Sequence, residues 1–422
     1  MTRLFPFRPL LFACIIFRVS LSGFAQVVTL TGATLVADPG IPVYPGFPDG
    51  HISYFALNDS VQVQVWAGYE SYISSGSDIT HQDSLWGMAL SKGAPGSYDN
   101  GGAWLYSVFR ITDSHWLGFY HAEDHEFPGY ENVEKIAWKS AAQCESFDGG
   151  KTWIKNGPIL TSWLEKPLSP AWGGTGDFSV VRDSINNRWL AYYVCPDGIG
   201  MAESKDPLGN PGTWKKYYKG SFSTSGLGGK GEALSFSKGK YSGGNPSLIY
   251  YKPLGVWMLA YHDWADKGIY YTYSYDLEHW EEAQLMLSNL GSPERIWYPT
   301  WIAERSDQYS EGKLFLAYAH WDNINLPYRN FELAEVHVLG LSIPQVIEEG
   351  WFTQSNLVLT QSTNVSLALY DAFGRLVNEY YHEKTLPAGT YYINLVPYLS
   401  PGISFLKLTS PVGEKNQKLI RF

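Results

Sequence analysis

A chain of 422 residues with 41 acidic against 31 basic side chains carries a net charge of −10, which argues against nucleic acid and anionic surfaces as partners. Its length suits two or three ordinary domains, or one large domain with an appendage. Aromatics reach 16% of residues while charged side chains stop at 17%, and there are 42 glycines, a profile of a β-rich fold with many turns.

Residues 1–25 read as a secretory signal peptide: Arg3 and Arg8 form the basic start, Leu10 to Ile16 the apolar centre, and Gly23-Phe-Ala25 a small-x-small cleavage site. Arg18 interrupts this segment, and Leu11-Phe-Ala-Cys14 offers a lipoprotein reading, weakened because apolar sequence continues past Cys14. No other run approaches the ~20 apolar residues of a membrane span. Removing the signal takes three arginines and no acid, so the mature chain is still more acidic. Cys144 and Cys195 remain, with no CxxC or metal-finger spacing, and are expected as two unpaired, buried thiols.

A β segment is expected over Val27 to Ala37, then a Pro/Gly-rich loop from Asp38 to Gly50. Two strands follow, His51–Leu57 and Val61–Trp66, turning at Asn58-Asp-Ser60. The second unit holds Gly102–Phe109, a turn at Thr112-Asp-Ser114, His115–Tyr120 running on to His125, and Glu134–Ser140. The third holds Gly176–Arg182, Trp189–Val194 and Gly198–Ser204. The fourth holds Asn245–Tyr251, Val256–Tyr261 and Gly268–Asp276. The fifth holds Tyr298–Ala303, a turn around Asp307 to Gly312, Lys313–Ala319 and Phe331–Leu339. One phrase recurs at the end of the second strand: Leu117-Gly-Phe-Tyr-His121, Leu190-Ala-Tyr-Tyr, Leu259-Ala-Tyr-His262 and Leu316-Ala-Tyr-Ala-His320. Five such units indicate a five-bladed β-propeller over residues 26–342. A linker at 343–354 and a small C-terminal β-sandwich over 355–422 complete an all-β chain.

Ser146-Phe-Asp148-Gly-Gly150-Lys-Thr152-Trp153 resembles the Asp-box turn of sialidase-type propellers, a structural turn with no catalytic part. The last 70 residues, with "ALYDAFGRLV", "LPAGTYYINL" and "SPGISFLKL", resemble the C-terminal sorting domain of type IX secretion substrates of Bacteroidetes, without the usual opening Tyr-Pro-Asn-Pro. That resemblance implies the type IX secretion machinery as a partner and a secreted or cell-surface location. A plain carbohydrate-binding or Ig-like sandwich is the alternative.

In a propeller the start of each innermost strand and the end of the next strand share one face. That face should collect Asp49, His51, Trp104, Asp177, Asn245 and Tyr298 from strand starts. Strand ends should add Tyr69, Glu70, His121, Glu123, Asp124, His125, Asp197, His262, Asp263, Asp266, His320 and Asp322. Crowded carboxylates with aromatic walls suit glycosidic cleavage, where one acid donates a proton and another stays ionised to attack or to activate water. The arrangement resembles five-bladed glycosidases of the arabinanase, xylosidase and fructosidase type, which implies a base, a pKa-tuning Asp and a Glu general acid. The Glu-Gly-Pro or Glu-Ala-Pro signature of that acid is absent.

The expected roles are Asp177 as base or nucleophile, Glu123 as general acid, and Asp49 or Asp124 as tuner. Glu232 and then Glu294 are the next choices for the acid, and His121 or His125 is a further donor. His51, His121, His125, Asp197, Asn245, His262, Asp263, Tyr298, His320, Trp321 and Asp322 would hold a carbohydrate substrate. No cofactor is expected, although a structural Ca could sit in the channel. His121, Glu123 and His125 alternate along a strand and so offer a competing metal site. Two other functions stay open: a non-catalytic glycan-binding propeller, and a polysaccharide lyase or metal-dependent hydrolase.

Overall fold

The computed structural model describes residues 27–35, 47–129, 136–237, 243–264, 268–288, 294–323 and 329–339, and most of 352–421. The expected signal peptide, most of the expected linker, and Asp266 lie outside the described residues. The chain divides into two compact units, one of them Gln26–Gly340 and the other containing Leu341–Phe422.

The first unit is a five-bladed β-propeller, built among the described residues from five sheets that are antiparallel except where the two-residue strands Gly173–Gly174 and Tyr309–Ser310 add in parallel to blades 2 and 4. Blade 1 comprises Ser53–Ala56, Gln62–Ala67, Ser71–Gly76 and Ser84–Leu90. Blade 2 comprises Gly102–Arg110, Trp116–Asp124, Trp138–Ser146 and Ile154–Leu160. Blade 3 comprises Gly176–Asp183, Arg188–Cys195, Gly198–Ser204, Lys215–Tyr218 and Ser221–Ser225. Blade 4 comprises Gly244–Tyr251, Val256–Asp263, Gly268–Ser274 and Gln284–Leu287. Blade 5 comprises Arg295–Ala303, Leu314–Trp321 and Asn330–Leu339, and its outermost strand is the chain's first, Val27–Leu35. That strand pairs antiparallel with Asn330–Leu339 from Val27↔Leu339 to Leu35↔Glu332, which ties the start of the unit to its end. The reach Ser221 to Gly244 supplies an extra edge strand to blade 3 (Ser221–Ser225).

Each blade is sandwiched between two others, so both faces of its inner strands are buried. This is why a strand such as Trp189-Leu-Ala-Tyr-Tyr reads as a continuous apolar run instead of an alternating one. The core lies in five layers between successive blades. Val65, Leu105 and Trp116 belong to the layer between blades 1 and 2; Phe119, Phe178 and Trp189 to the next; Leu190, Leu248 and Leu259 to the third; Ile249, Trp301 and Leu316 to the fourth; and Tyr54, Trp66 and Ile302 to the layer that closes the ring.

Buried hydroxyls stitch the inner strands together around the axis. Ser53 Oγ accepts the Val108 N–H (3.1 Å), Ser107 Oγ the Val180 N–H (3.3 Å), Ser247 Oγ the Trp301 N–H (2.9 Å) and Thr300 Oγ1 the Ile52 N–H (3.2 Å). Ser179 holds the equivalent place in blade 3, but its buried hydroxyl has no partner among the described residues. The opposite ends of blades 2, 3 and 4 close on matching Ser-x-Asp turns after the third strand. In the first, Asp148 Oδ1 accepts the N–H groups of Lys151 and Thr152. Asp206 Oδ1 accepts those of Leu208 and Asn210, and Asp276 Oδ1 those of Glu278 and His279.

The second unit has a three-stranded sheet (Phe352–Thr353, Asn356–Leu359, Gly389–Tyr392) and a four-stranded sheet (Thr363–Asp371, Leu376–Leu386, Gly402–Ser410, Gly413–Arg421). One shared core, including Leu357, Leu367, Leu369 and Leu406, lies between them. Phe352–Thr353 falls within the stretch read from sequence as linker.

Candidate active site

The innermost strands of blades 2 to 5 each break register near the axis, at Tyr106, Asp177, Asn245-Pro246 and Tyr298-Pro299. Asp177, Asn245 and Tyr298 adopt left-handed backbone there, with φ of 47°, 44° and 58°. Such non-glycine residues are costly and are held only by surrounding structure. Two histidines at the ends of second strands do the holding. The Asp177 N–H donates to His121 Nδ1 at 2.9 Å, and the Tyr298 N–H donates to His262 Nδ1 at 3.4 Å. The bulges turn the Asp177 and Tyr298 side chains toward the mouth of the channel.

There they border a cavity of about 1770 Å³. Strand starts contribute Asp49, Trp104, Asp177, Trp297 and Tyr298, and strand ends contribute Tyr69, Glu70, His121, Glu123, His125 and Trp264. The wall also carries Trp138, Lys139, Trp172, Arg295 and Arg329. Members of both sets of strand ends thus meet in this cavity.

The carboxylates of this cavity differ in their partners. Asp177 is buried; its Oδ2 accepts from Lys139 Nζ at 2.8 Å, and Oδ1 lies 3.5 Å from His121 Nδ1. Burial pushes its carboxyl up, but the Lys139 charge and the His121 side outweigh this and hold it below the usual range. Lys139 is itself raised by Asp177 in spite of burial, and its ammonium lies 5.8 Å from the rings of both Trp172 and Trp264. Asp49 Oδ1 accepts from Arg329 at 2.8 Å, and the Tyr298 hydroxyl also engages the Asp49 carboxylate. Arg329 lies over the Trp321 ring at 4.3 Å, which in turn packs on Trp297 and Tyr298.

Glu123 overturns its expected role. His121 Nε2 lies 3.1 Å from Oε1 and His125 Nε2 lies 2.7 Å from Oε2. Because His121 Nδ1 accepts the Asp177 N–H, its proton sits on Nε2 and is donated to Glu123. Burial alone would raise the Glu123 carboxyl, yet these two imidazoles hold it far below the usual range, ionised and unable to donate a proton. The same hydrogen bonds correct the metal reading. The Nε2 atoms of His121 and His125 both face Glu123, His121 Nδ1 takes the Asp177 N–H, and among the described residues no group of three His, Cys, Asp or Glu side chains is placed to hold a metal ion.

Other expected residues stand apart from the cavity. Asp124 pairs with Lys166 at 2.6 Å and accepts from Asn100, so it serves the rim loop. Glu232 is a half-exposed loop residue whose N–H bonds Tyr217, away from the wall. Asp197 is an exposed turn residue, Asp263 is half-buried at a strand end, and Asp322 is exposed. His51 is buried across the axis, 2.7 Å from the Tyr106 carbonyl and 3.3 Å from Ser247 Oγ, and burial lowers it to about 4. His262 is buried and lowered to about 3. Asn245 is buried, and its amide has no partner among the described residues. His320 is clamped between Glu332 (2.7 Å) and Glu294; burial lowers it, but the two carboxylates outweigh that and raise it. Trp321 reaches the site only through Arg329 and its neighbouring rings.

Sequence reasoning left out Lys139, Arg329, Arg295 and four tryptophans, Trp138, Trp172, Trp264 and Trp297. Trp138 and Lys139 begin a third strand, which returns from the same face, so extending the topological map by one strand would have found both. Arg329 begins blade 5's third strand region and carries the same signal. Both Cys144 and Cys195 are free and buried, as expected.

No family model matches the chain, and no curated protein matches it. Solved structures do resemble it in part. A family 117 glycoside hydrolase from Zobellia galactanivorans is 12% identical, with a TM-score of 0.46, covering 78% of this chain and 96% of its own. An exo-1,5-α-L-arabinanase from a bovine ruminal metagenomic library is 11% identical at a TM-score of 0.45, covering 67% and 91%. An α-L-arabinofuranosidase from Lactobacillus brevis is 14% identical at 0.44, covering 67% and 89%.

Proposed function

We propose that this chain is a secreted glycoside hydrolase that cleaves a polysaccharide or glycan at the mouth of the propeller channel. The observation that carries the reading is one cavity walled by tryptophans and floored by two carboxylates, Asp49 and Asp177, each held by its own cation. Aromatic faces stack on the apolar faces of sugar rings, while ionised carboxylates attack the anomeric centre or activate water. Asp49 is the more accessible of the pair, its side chain 33% exposed against 7% for Asp177. Asp49 therefore takes the proton of the attacking water, and Asp177 stays charged beneath the reacting sugar, a reversal of the order expected from sequence.

Export rests on the sequence of residues 1–25 and on the C-terminal resemblance to type IX sorting domains, which make the product secreted or cell-surface. The Ser146–Trp153 turn, with its Asp148 hydrogen bonds, supports an Asp-box as a marker of the fold.

The test is release of reducing ends by the purified chain from a panel of plant, algal and host glycans. Release from at least one member is expected. Binding without release from any member would contradict hydrolysis and favour a glycan-binding propeller, and an unsaturated product absorbing in the ultraviolet would favour a lyase.

A further inference from the structure

With Glu123 held ionised, the cleft needs another proton donor. The cavity's acids differ in what engages them. Asp49 has Arg329, Asp177 has Lys139, and Glu123 has two imidazoles. Glu126 is exposed at the rim, with Oε2 on the Gly96 N–H. Neither Glu126 nor Glu70 forms a salt bridge within the described residues, but Glu70 is the half-buried one of the two, and its Oε2 accepts the Lys92 backbone N–H at 3.1 Å.

Its position is fixed by the same corner of blade 1 that places Asp49. The Asp49 N–H donates to the Ala67 carbonyl at 3.1 Å, and the Gly68 N–H donates to the Glu70 carbonyl at 3.0 Å. Trp104 braces this turn through Nε1 to the Gly68 carbonyl at 2.8 Å. Glu70 and Asp49 thus enter one cavity from adjoining backbone, beside the exposed Tyr69 ring.

We infer that Glu70 is the proton donor of the hydrolysis, a reading that rests on the glycosidase function proposed above. As the bond from the anomeric carbon to the leaving oxygen breaks, the Glu70 carboxyl proton passes to that oxygen. The water oxygen bonds to the anomeric carbon and its proton passes to Asp49. One water is consumed, Glu70 ends ionised and Asp49 protonated, and exchange with solvent resets both. Burial raises the Glu70 carboxyl, against the Lys92 N–H and the charges of Lys92 and Lys155, while Asp177 and Glu123 are lowered. Environments that push carboxyls apart in this way separate an acid from a base.

The experiment compares wild type, Glu70→Gln and Glu123→Gln on 2,4-dinitrophenyl glycosides of galactose, arabinose and xylose, whose leaving group departs without a proton, and on the matching oligosaccharides. For Glu70→Gln, kcat/KM on the oligosaccharide should fall ~10²–10⁴-fold, with little loss on the dinitrophenyl glycoside and with the alkaline limb of the pH profile gone. Oligosaccharide affinity measured by calorimetry should be kept, which shows that the variant is folded. Equal losses on both substrate types, an unchanged alkaline limb, or loss of that limb in Glu123→Gln instead would overturn the assignment. A wild type inert on every oligosaccharide and glycoside would overturn the hydrolase reading itself, a result distinct from any of these.

Discussion

Lys139 shows how one side chain sets the chemistry of another. It is the main cause that lowers Asp177 against burial. Replacing it by methionine leaves a buried carboxylate unpaired, which costs about 3–5 kcal/mol. The folded carboxyl of Asp177 lies below its unfolded value, so its contribution to stability is present above the unfolded pKa and is lost as pH falls through the folded one. Lys139→Met should therefore melt well below wild type at neutral pH, and the gap should narrow in acid, where Asp177 is protonated in both states. The acidic limb of its pH–rate profile should move to higher pH. Thermal melts between pH 3 and 8 and a rate profile check both points; a gap that stays constant across this range would deny the pairing its role.

At this scale the sequence was only partly legible. Asp49, Asp177, Tyr298, His121, Glu123 and His125 were found because strand polarity alone assigns them to a face. Their roles were not, because a carboxylate's charge depends on what lies across from it. The imidazoles that disable Glu123 come two residues either side of it, and the same alternation had suggested a metal. Lys139 lies 38 residues before its partner Asp177, a pairing that spacing does not reveal.

Elements are joined by the hydroxyl ring. Ser247→Ala leaves the buried Trp301 N–H without an acceptor and should cost about 1–3 kcal/mol. Ser179→Ala removes a hydroxyl that has no partner among the described residues and should be close to neutral. Denaturant unfolding of the two variants separates them, and equal losses would show that the hydroxyls act only as packing. The turn from blade 5 onto blade 1 holds a second consequence. The Asp307 N–H donates to the Tyr54 carbonyl at 2.7 Å, and Ser306 bridges Phe55. The Asp307 carboxyl is buried, and burial lifts it to about 7, with Ser53 and Gln308 pulling weakly the other way. Because the folded value exceeds the unfolded one, stability is lost as pH rises from about 4 to about 7 and stays lost above. Asp307→Asn should raise stability by a few kcal/mol at pH 8, from about 1.4 kcal/mol per unit, with no gain near pH 3. A melt series over that range decides it. Read from sequence, Asp307 was an ordinary turn residue. The turn was correct, but its burial against the first blade depends on ring closure, which no local pattern encodes.

For the whole molecule, four clear copies of one phrase and a degenerate fifth were enough to count the blades, because every blade must bury both faces and end its second strand on the same rim. The first strand's place was not legible. Val27–Leu35 was expected as a β segment, but its pairing with Asn330–Leu339 spans the entire propeller. This closure ties the start of the propeller to its end, so that one cavity gathers residues from all five blades. The cavity that results is a property of the closed ring: Asp49 comes from blade 1, Asp177 from blade 3, and Arg329 from blade 5. The central claim is that this cavity hydrolyses glycosidic bonds by means of Asp49. The most direct measurement is turnover and binding of Asp49→Asn on the best glycan substrate of the wild type. A loss of turnover of ~10³-fold or more, with affinity within about tenfold of wild type, is the expected result for an interaction made in the transition state. Turnover that survives the substitution would contradict the account.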